Sequence, residues 1–140
     1  MTGPVSLSDL EAFARQQIAA QRYPDDHHPF RVFACDECGV VAFELTIEHH
    51  SGSVEGGFKG VIWGVCTQCG DRKQLFRFTG EHRKRLREEQ PVCECGHAGF
   101  LVAECERIEG EKGLAGFFDE GVVVGKCSRC GRNRAFVYTD

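Results

Sequence analysis

The stretch that decides the fold is Gly60-Val61-Ile62-Trp63-Gly64-Val65-Cys66-Thr67-Gln68-Cys69-Gly70. Its first half is rich in β-branched and aromatic residues, which is typical of a strand, and its second half is a CxxC pair followed by glycine. The same pattern returns as Gly121-Val122-Val123-Val124-Gly125-Lys126-Cys127-Ser128-Arg129-Cys130-Gly131. A strand that ends in a CxxCG turn is therefore predicted twice in a chain of 140 residues.

Each of these stretches has a second cysteine pair upstream. Cys35-Asp36-Glu37-Cys38-Gly39 precedes the first, and Cys93-Glu94-Cys95-Gly96 precedes the second. The offset is 57 positions from Cys38 to Cys95 and 61 from Cys66 to Cys127, so the second copy has the longer loop between its pairs. Its first pair is CxC and is one residue shorter. The sequence thus predicts one repeated unit in two copies, whose aligned residues are called matching positions below.

Paired cysteines at this spacing indicate metal binding. A CxxC turn points both sulfurs at one ion, and two such turns complete the tetrahedron that zinc prefers. The 27 residues between the two pairs of the first copy exceed the usual spacing, which a longer hairpin accommodates. The sequence predicts two structural Zn²⁺ ions, held by Cys35, Cys38, Cys66 and Cys69 in the first copy and by Cys93, Cys95, Cys127 and Cys130 in the second.

A different side chain could replace one cysteine of the second set, because its shorter CxC pair tightens the chelate and could distort the ligand geometry. His97 lies two positions after Cys95 and could supply a ring nitrogen, and Cys105 is the ninth thiol of the chain. Cys105 matches Glu48, so the repeat does not predict it as a ligand. We otherwise expect a partly buried, inert thiol there.

Between the cysteine pairs the sequence has the alternation of half-buried strands. In the first copy Val41, Phe43, Leu45 and Ile47 alternate with small or polar residues. Each copy is predicted as a three-stranded antiparallel sheet of about fifty residues, too small to be stable without its metal. The expected fold class is small, metal-stabilised and mainly β, with flanking helices.

Two helices are predicted outside the copies. Ser8 is the expected N-cap of the first, whose apolar stripe of Leu10, Phe13, Ala14 and Ile18 should pack on the first copy or dock a partner. The second would run from Glu81 to Glu89 as a mostly solvated linker that lets the copies move. The chain would then divide into a helix and tether (1–29), a first ribbon (30–79), a linker helix (80–91) and a second ribbon (92–140).

These motifs resemble the zinc-ribbon family, which has a rubredoxin-like fold, over residues 30–79 and 92–140. The resemblance implies structural metal and a role in transcription machinery, nucleic-acid binding, ribosomes, enzyme appendages or protein interaction. Rubredoxins themselves favour a proline inside the second pair, whereas this chain has Thr67-Gln68 and Ser128-Arg129 there. A rubredoxin-like iron electron carrier would use the same four thiolates, and the absence of this proline argues against it.

Net charge and composition argue against several classes of protein. Basic residues number 17 and acidic residues 21, and two ions each held by four thiolates would bring the formal charge of −4 to about −8. Such a chain presents no uniform field that attracts nucleic acid. The N-terminus resembles no secretory signal, and no apolar run is long enough to span a bilayer, so a reducing cytoplasm is expected.

We predict a non-enzymatic zinc protein that acts as a protein-interaction adapter with a protein partner. The first alternative is nucleic-acid binding through the linker helix and the second ribbon, where Arg83, Lys84, Arg85 and Arg87 are followed by Arg129, Arg132 and Arg134. The second alternative is the iron electron carrier. No constellation of nucleophile, base and acid is recognisable in the sequence.

Overall fold

The computed structural model describes residues 7–18, 27–50, 60–78, 86–107 and 120–139. Within them the chain forms one helix and eight strands. In chain order these are α1 (Ser8–Gln17), β1 (Phe30–Val32), β2 (Phe43–His50), β3 (Gly60–Cys66), β4 (Arg72–Phe78), β5 (Leu86–Glu89), β6 (Gly99–Arg107), β7 (Glu120–Cys127) and β8 (Asn133–Thr139). The predicted mainly β architecture is confirmed.

All eight strands lie in one antiparallel sheet. Its central order is β4-β3-β2-β6-β7-β8, with β1 paired to β6 and β5 paired to β2. The first cysteine segment (residues 30–78) joins the second (residues 86–139) where β2 meets β6, with Phe43 opposite Phe100 and Glu44 opposite Gly99. The strands of the two segments therefore share backbone hydrogen bonds, where the sequence had suggested two ribbons on a mobile linker.

The predicted linker helix is wrong where the structure describes it. Leu86–Glu89 is a strand, and it pairs with β2 in the register Glu48 opposite Glu88. Only Leu86 is a large apolar residue in this stretch, so a helix here would have had no apolar face to bury. Backbone pairing along β2 satisfies its polar groups instead. Residues 81–85 lie outside the described part of the chain.

The larger core lies on one face of the sheet and includes residues from both segments. Phe43, Ile62, Phe100 and Val102 are fully buried in it, and the core also contains the buried cysteines Cys35, Cys66, Cys93 and Cys127. Burial alternates along β3, with every second residue from Gly60 to Cys66 buried. The buried cysteines thus lie on the same face of the sheet as this core, which we call the inner face.

Helix α1 covers the opposite, outer face of the second segment. Leu10 and Ala14 of this helix, with Ile18 at its C-cap, form a second core with Ala103, Cys105, Val122 and Val124. The expectation that the helix packs on the first copy is wrong. An ion pair adds to these apolar contacts, because Lys126 of β7 is almost wholly buried and its Nζ lies 2.8 Å from the Asp9 carboxylate of α1.

The predicted helix exists, but its N-cap differs from expectation. Ser8 is the first helical residue, and Leu7 precedes it without a side-chain cap hydrogen bond. Asp9 and Glu11 lie in the first turn, where carboxylates stabilise the helix dipole. The Glu11 carboxylate also pairs with Arg15 one turn later, at 3.1 Å.

Candidate metal centres

In the first segment, two tight turns carry the cysteines. The Gly39 N–H donates to the Cys35 carbonyl at 2.9 Å, and the Gly70 N–H donates to the Cys66 carbonyl at the same distance. Both glycines have positive φ, 82° and 79°, a conformation that residues with a Cβ rarely adopt. The glycine after each pair therefore reverses the chain, so that the two sulfurs of a pair lie together.

The second segment repeats this construction with one shorter turn. The Gly131 N–H donates to the Cys127 carbonyl at 2.9 Å, as in the first segment. In the CxC pair the Gly96 N–H donates to the Cys93 carbonyl at 2.8 Å, and Gly96 has a φ of 92°. The missing residue tightens the turn by one position and leaves its closure and its left-handed glycine unchanged.

The eight predicted cysteines come together in two sets of four. Within each set every sulfur lies within 4.8 Å of the other three. The Sγ–Sγ distances are 3.6 Å for Cys35 and Cys69 and 3.4 Å for Cys93 and Cys130, and all nine cysteines are free thiols. A tetrahedron with Zn–S bonds of about 2.3 Å has edges of about 3.8 Å, so the donor atoms fit such an ion. Each set could therefore hold one metal ion.

Backbone amides stabilise one thiolate in each set. The N–H groups of Cys69 and Gln68 point at the Cys66 sulfur from 3.5 and 3.4 Å, and they lower the pKa of Cys66 to about 7. Burial raises the pKa of Cys127, but the N–H groups of Cys130 and Arg129 outweigh it and bring that pKa down to about 7.

Other thiols of the sets hold their protons more firmly. Burial, followed by hydrogen bonds to the neighbouring sulfurs, raises the pKa of Cys38 to about 12. The pKa of Cys130 rises to about 11, although a backbone hydrogen bond near Arg132 opposes the rise, because the Cys93 thiol beside it favours the protonated form. Four thiolates together repel one another, so a set of this kind needs a cation to become fully ionised.

The two alternative ligands lie outside the sets. His97 places its Nε2 2.8 Å from the Ser128 hydroxyl. Cys105 is wholly buried beneath α1, in the outer core, and burial raises the pKa of its thiol. Neither side chain joins the four sulfurs of the second set.

Hydroxyl groups inside the second cysteine pairs were missed by the sequence reasoning. Thr67 donates its N–H and its hydroxyl to the Ala42 carbonyl, at 3.1 and 2.9 Å. Ser128, at the matching position, makes the same two bonds to the Gly99 carbonyl at 3.0 and 3.1 Å. Each hydroxyl thus ties one cysteine turn to the strand beside it, and a Thr or Ser directly after Cys66 and Cys127 was the available signal.

Gly64 and Gly125, which are matching positions, leave space for a large side chain of the neighbouring strand. A Cβ on Gly64 would lie 2.7 Å from Leu75 Cδ1, and a Cβ on Gly125 would overlap the ring of Phe136. Leu75 and Phe136 are themselves matching positions. A glycine two residues before the cysteine therefore leaves room for a large side chain of the neighbouring strand over the inner face of the sheet.

Basic residues around the turns make contacts within the chain. Lys73 donates to the Ala34 carbonyl at 2.8 Å, and Arg134, at the matching position, donates to the Val92 carbonyl at 3.4 Å. Arg132 pairs with Glu94 across the second set. Two of the three arginines that suggested phosphate contacts in the second segment thus have internal partners.

Comparison with known protein families, with curated proteins and with solved structures found no match to this chain. Its likeness to zinc ribbons therefore rests on the cysteine motifs and on the geometry of the two sets. Within the described ranges, no helix has both the length and the apolar character needed to cross a bilayer.

Proposed function

We propose that the chain is a non-enzymatic protein with two structural zinc ions, and that it acts as a protein-interaction adapter. The observation that carries the proposal is the convergence of eight cysteine sulfurs in two complete sets of four. Four protein ligands fill a tetrahedral ion and leave no coordination position for a substrate, which is typical of structural zinc.

The position of the sulfurs supports a structural role for the ions. Cys35, Cys66, Cys93 and Cys127 are buried in the same core as Phe43 and Phe100. When bound, each ion supplies a crosslink between two turns that are distant in sequence. Because small β modules bury little apolar surface, such a crosslink stabilises the sheet substantially.

The contact between His97 and Ser128 supports no hydrolytic activity. The Ser128 hydroxyl has one proton, and it donates to the Gly99 carbonyl. Thr67 makes the same bond in the first segment, where Val40 stands in place of His97. The shared bond indicates that the hydroxyl stabilises the turn, with or without a histidine beside it.

Equivalent contacts support a common origin for the two segments. The glycine closures, the hydroxyl bonds and the glycines beneath Leu75 and Phe136 recur at matching positions. Local contacts of this number and kind are expected if one unit was duplicated. We infer a tandem repeat of a zinc ribbon whose copies have fused into one sheet.

The adapter role is tested by affinity capture from the native host, using the chain purified under reducing conditions. Wild type and Cys105→Ser should enrich the same protein partner, whereas Cys127→Ser, which removes a proposed ligand, should lose it. Cys105→Ser is the matched control because it removes a buried thiol outside both sets. Enrichment of nucleic acid without protein, or equal capture by Cys127→Ser, would contradict the proposal.

A further inference from the structure

Strand β2 has a gap in its pairing on the side away from β3. On that side β6 pairs with β2 as far as Glu44, and β5 pairs with it from Ile47 onward. Leu45 and Thr46 lie between these two stretches. In the register of β5 the residue that would face Leu45 is Pro91. Because proline has no backbone N–H, it cannot donate a hydrogen bond across this gap.

The matching edge of the second segment is closed by a hydrogen bond. Counted from the first cysteine of each segment, Phe33 matches Pro91, and the Phe33 N–H donates to the Val102 carbonyl at 2.9 Å. Val102 matches Leu45 and has the same register, so the Leu45 carbonyl is directed at the gap. In the described part of the chain no backbone N–H donates to it from this side. Leu45 is only 3% exposed, and buried carbonyls of this kind normally have a donor.

A cavity of about 280 Å³ lies at the gap. Its walls are formed by residues of β2, β3 and the stretch between β5 and β6. Two of these residues, Pro91 and Ala98, match Phe33 and Val41, which are larger and are buried on the inner face. Smaller side chains at these two places leave the cavity in the first segment. Its volume lies just below the roughly 300–1,000 Å³ of pockets for drug-sized ligands, so it suits one small group.

The lining of the cavity combines hydrogen-bond acceptors with apolar walls. Among the described residues that line it, Glu44 is the only charged one, and the Leu45 carbonyl is a second acceptor. Val65, Val92 and Ala98 supply apolar surface, and Val92 is 51% exposed. Acceptors beside apolar walls complement a cation that carries N–H donors on an aliphatic stem.

Two arginines come near the cavity and are engaged elsewhere. Arg72 of β4 is opposite Val65, and its guanidinium stacks over Trp63 at 4.2 Å. Arg134 of β8 donates to the Val92 carbonyl at 3.4 Å. Neither arginine lines the cavity, and within the described ranges the carboxylate that lines it has no basic partner. The negative charge of the cavity is therefore not compensated by these arginines.

We propose that this cavity binds an alkylguanidinium group. A guanidinium presents five N–H donors in a planar fork, so it donates to the Leu45 carbonyl and to the neighbouring Glu44 carboxylate together. It is less strongly hydrated than an ammonium, which favours it beside apolar walls. Its aliphatic stem packs on Val65 and Val92. This site goes beyond the proposed adapter function, because it requires neither a metal ligand nor a particular protein partner.

Nuclear magnetic resonance of the isotope-labelled, zinc-loaded chain tests the site. The probe is N-butylguanidinium. The control is N,N,N-trimethylbutylammonium, which has the same charge and a similar stem but no N–H donor. We expect saturable shifts of the backbone amides of Leu45, Thr46 and Ala98 with a dissociation constant of about 1 mM or tighter, and at least about tenfold weaker binding of the control. Equal binding of the two cations, or no saturable shift, would overturn the inference.

Variants taken from the second segment locate the binding. Ala98→Val introduces the residue of the matching position, Val41, and should weaken N-butylguanidinium about tenfold by filling the cavity. Pro91→Ala supplies an N–H that can donate to the Leu45 carbonyl, as Phe33 does in the second segment, and should also weaken it. Unchanged affinity in both variants would place the binding elsewhere and contradict the proposal.

A charge variant with a matched control tests the carboxylate. Glu44→Gln should weaken N-butylguanidinium about tenfold, because it removes the charge and keeps the shape of the side chain. Glu48→Gln is the control, since Glu48 lies on the same face of β2 and does not line the cavity. Equal weakening by Glu48→Gln would show that the cation responds to the general charge of this face, and the inference would be wrong.

Two further measurements identify the source of the group. Binding of N-acetyl-arginine N-methylamide to the same amides assigns the group to an arginine side chain of a protein, whereas binding of N-butylguanidinium alone assigns it to a free small guanidine. If Arg83→Glu, Lys84→Glu and Arg85→Glu together shift the cavity amides without any probe, the chain's own basic stretch is the occupant and the inference fails. Zinc content and circular dichroism are measured for every variant, so failure in a folded, zinc-loaded chain leaves the proposed role of the metal standing.

Discussion

Phe43 lies directly opposite Phe100 where β2 meets β6, and these two residues are matching positions of the two segments. Because the paired residues are equivalent and the strands are antiparallel, the two segments are related by an approximate twofold axis at this pair. The flanking strands follow the same rule, since β1 pairs with β6 while β5 pairs with β2. The two cysteine segments thereby form one sheet with a shared core, which predicts that they are stable or unstable together.

Cooperative unfolding is the first prediction. Cys127→Ser removes a proposed ligand of the second set, and because Cys127 shares the inner core with Phe43, the first segment should melt with the second. We expect one transition whose Tm falls by about 10 °C or more. Trp63 fluorescence follows the first segment and circular dichroism follows the whole chain. Two separate transitions would show that the segments unfold independently.

The cysteines and strands could be predicted from sequence because their signals are local. The CxxCG pattern determines both the turn and its left-handed glycine, and alternation predicts β2 within two residues of its start. The strand β5 could not be predicted in this way, since its four residues form a strand only because β2 offers a partner edge. Tertiary pairing overrides weak local propensity in such short segments.

The docking of α1 also depended on information that is not local. The apolar stripe predicted the helix, but either segment could have received it. Lys126 stands where the first segment has Val65, and Leu101 stands where the first segment has Glu44. These differences favour the second segment as the site for α1. The sequence alone does not reveal them, because only the strand register shows that Lys126 and Leu101 lie on the same face.

Release of α1 should expose Cys105. Asp9→Asn leaves the buried Lys126 ammonium without the Asp9 carboxylate, so the helix should detach more often. We expect Cys105 in the zinc-loaded protein to react with a maleimide about fivefold faster or more. Glu11→Gln is the control, because Glu11 pairs with Arg15 of the same helix. An unchanged rate in Asp9→Asn would show that the pair does not hold α1 in place.

Replacement of Gly125 should destabilise the protein unless the side chain at position 136 is made smaller. Gly125→Ala would place a methyl group inside the ring of Phe136, and overpacking of this kind costs about 1–3 kcal/mol. Phe136→Leu introduces the residue found at the matching position, Leu75, and should recover part of the loss. Thermal melting of both single variants and the double variant measures the coupling. Strict additivity would mean that the two residues do not compete for this space.

Metal affinity should depend on pH with a change of slope near 7. The pKa values of Cys66 and Cys127 are lowered to about 7, so above that pH each set already holds one thiolate. As the pH falls below about 7, one more proton per ion must be displaced, and log K should decline more steeply by about one unit per pH unit. Chelator competition from pH 6 to pH 8 measures this. A constant slope would contradict the lowered pKa values.

The metal content of the native protein tests the central claim most directly. Native mass spectrometry combined with elemental analysis should find two zinc ions per chain in the wild type and in Cys105→Ser. Cys66→Ser should lose the ion of the first set. Less than one metal ion per chain, iron in both sites, or loss of zinc from Cys105→Ser would contradict two structural zinc ions held by the eight cysteines of the two sets.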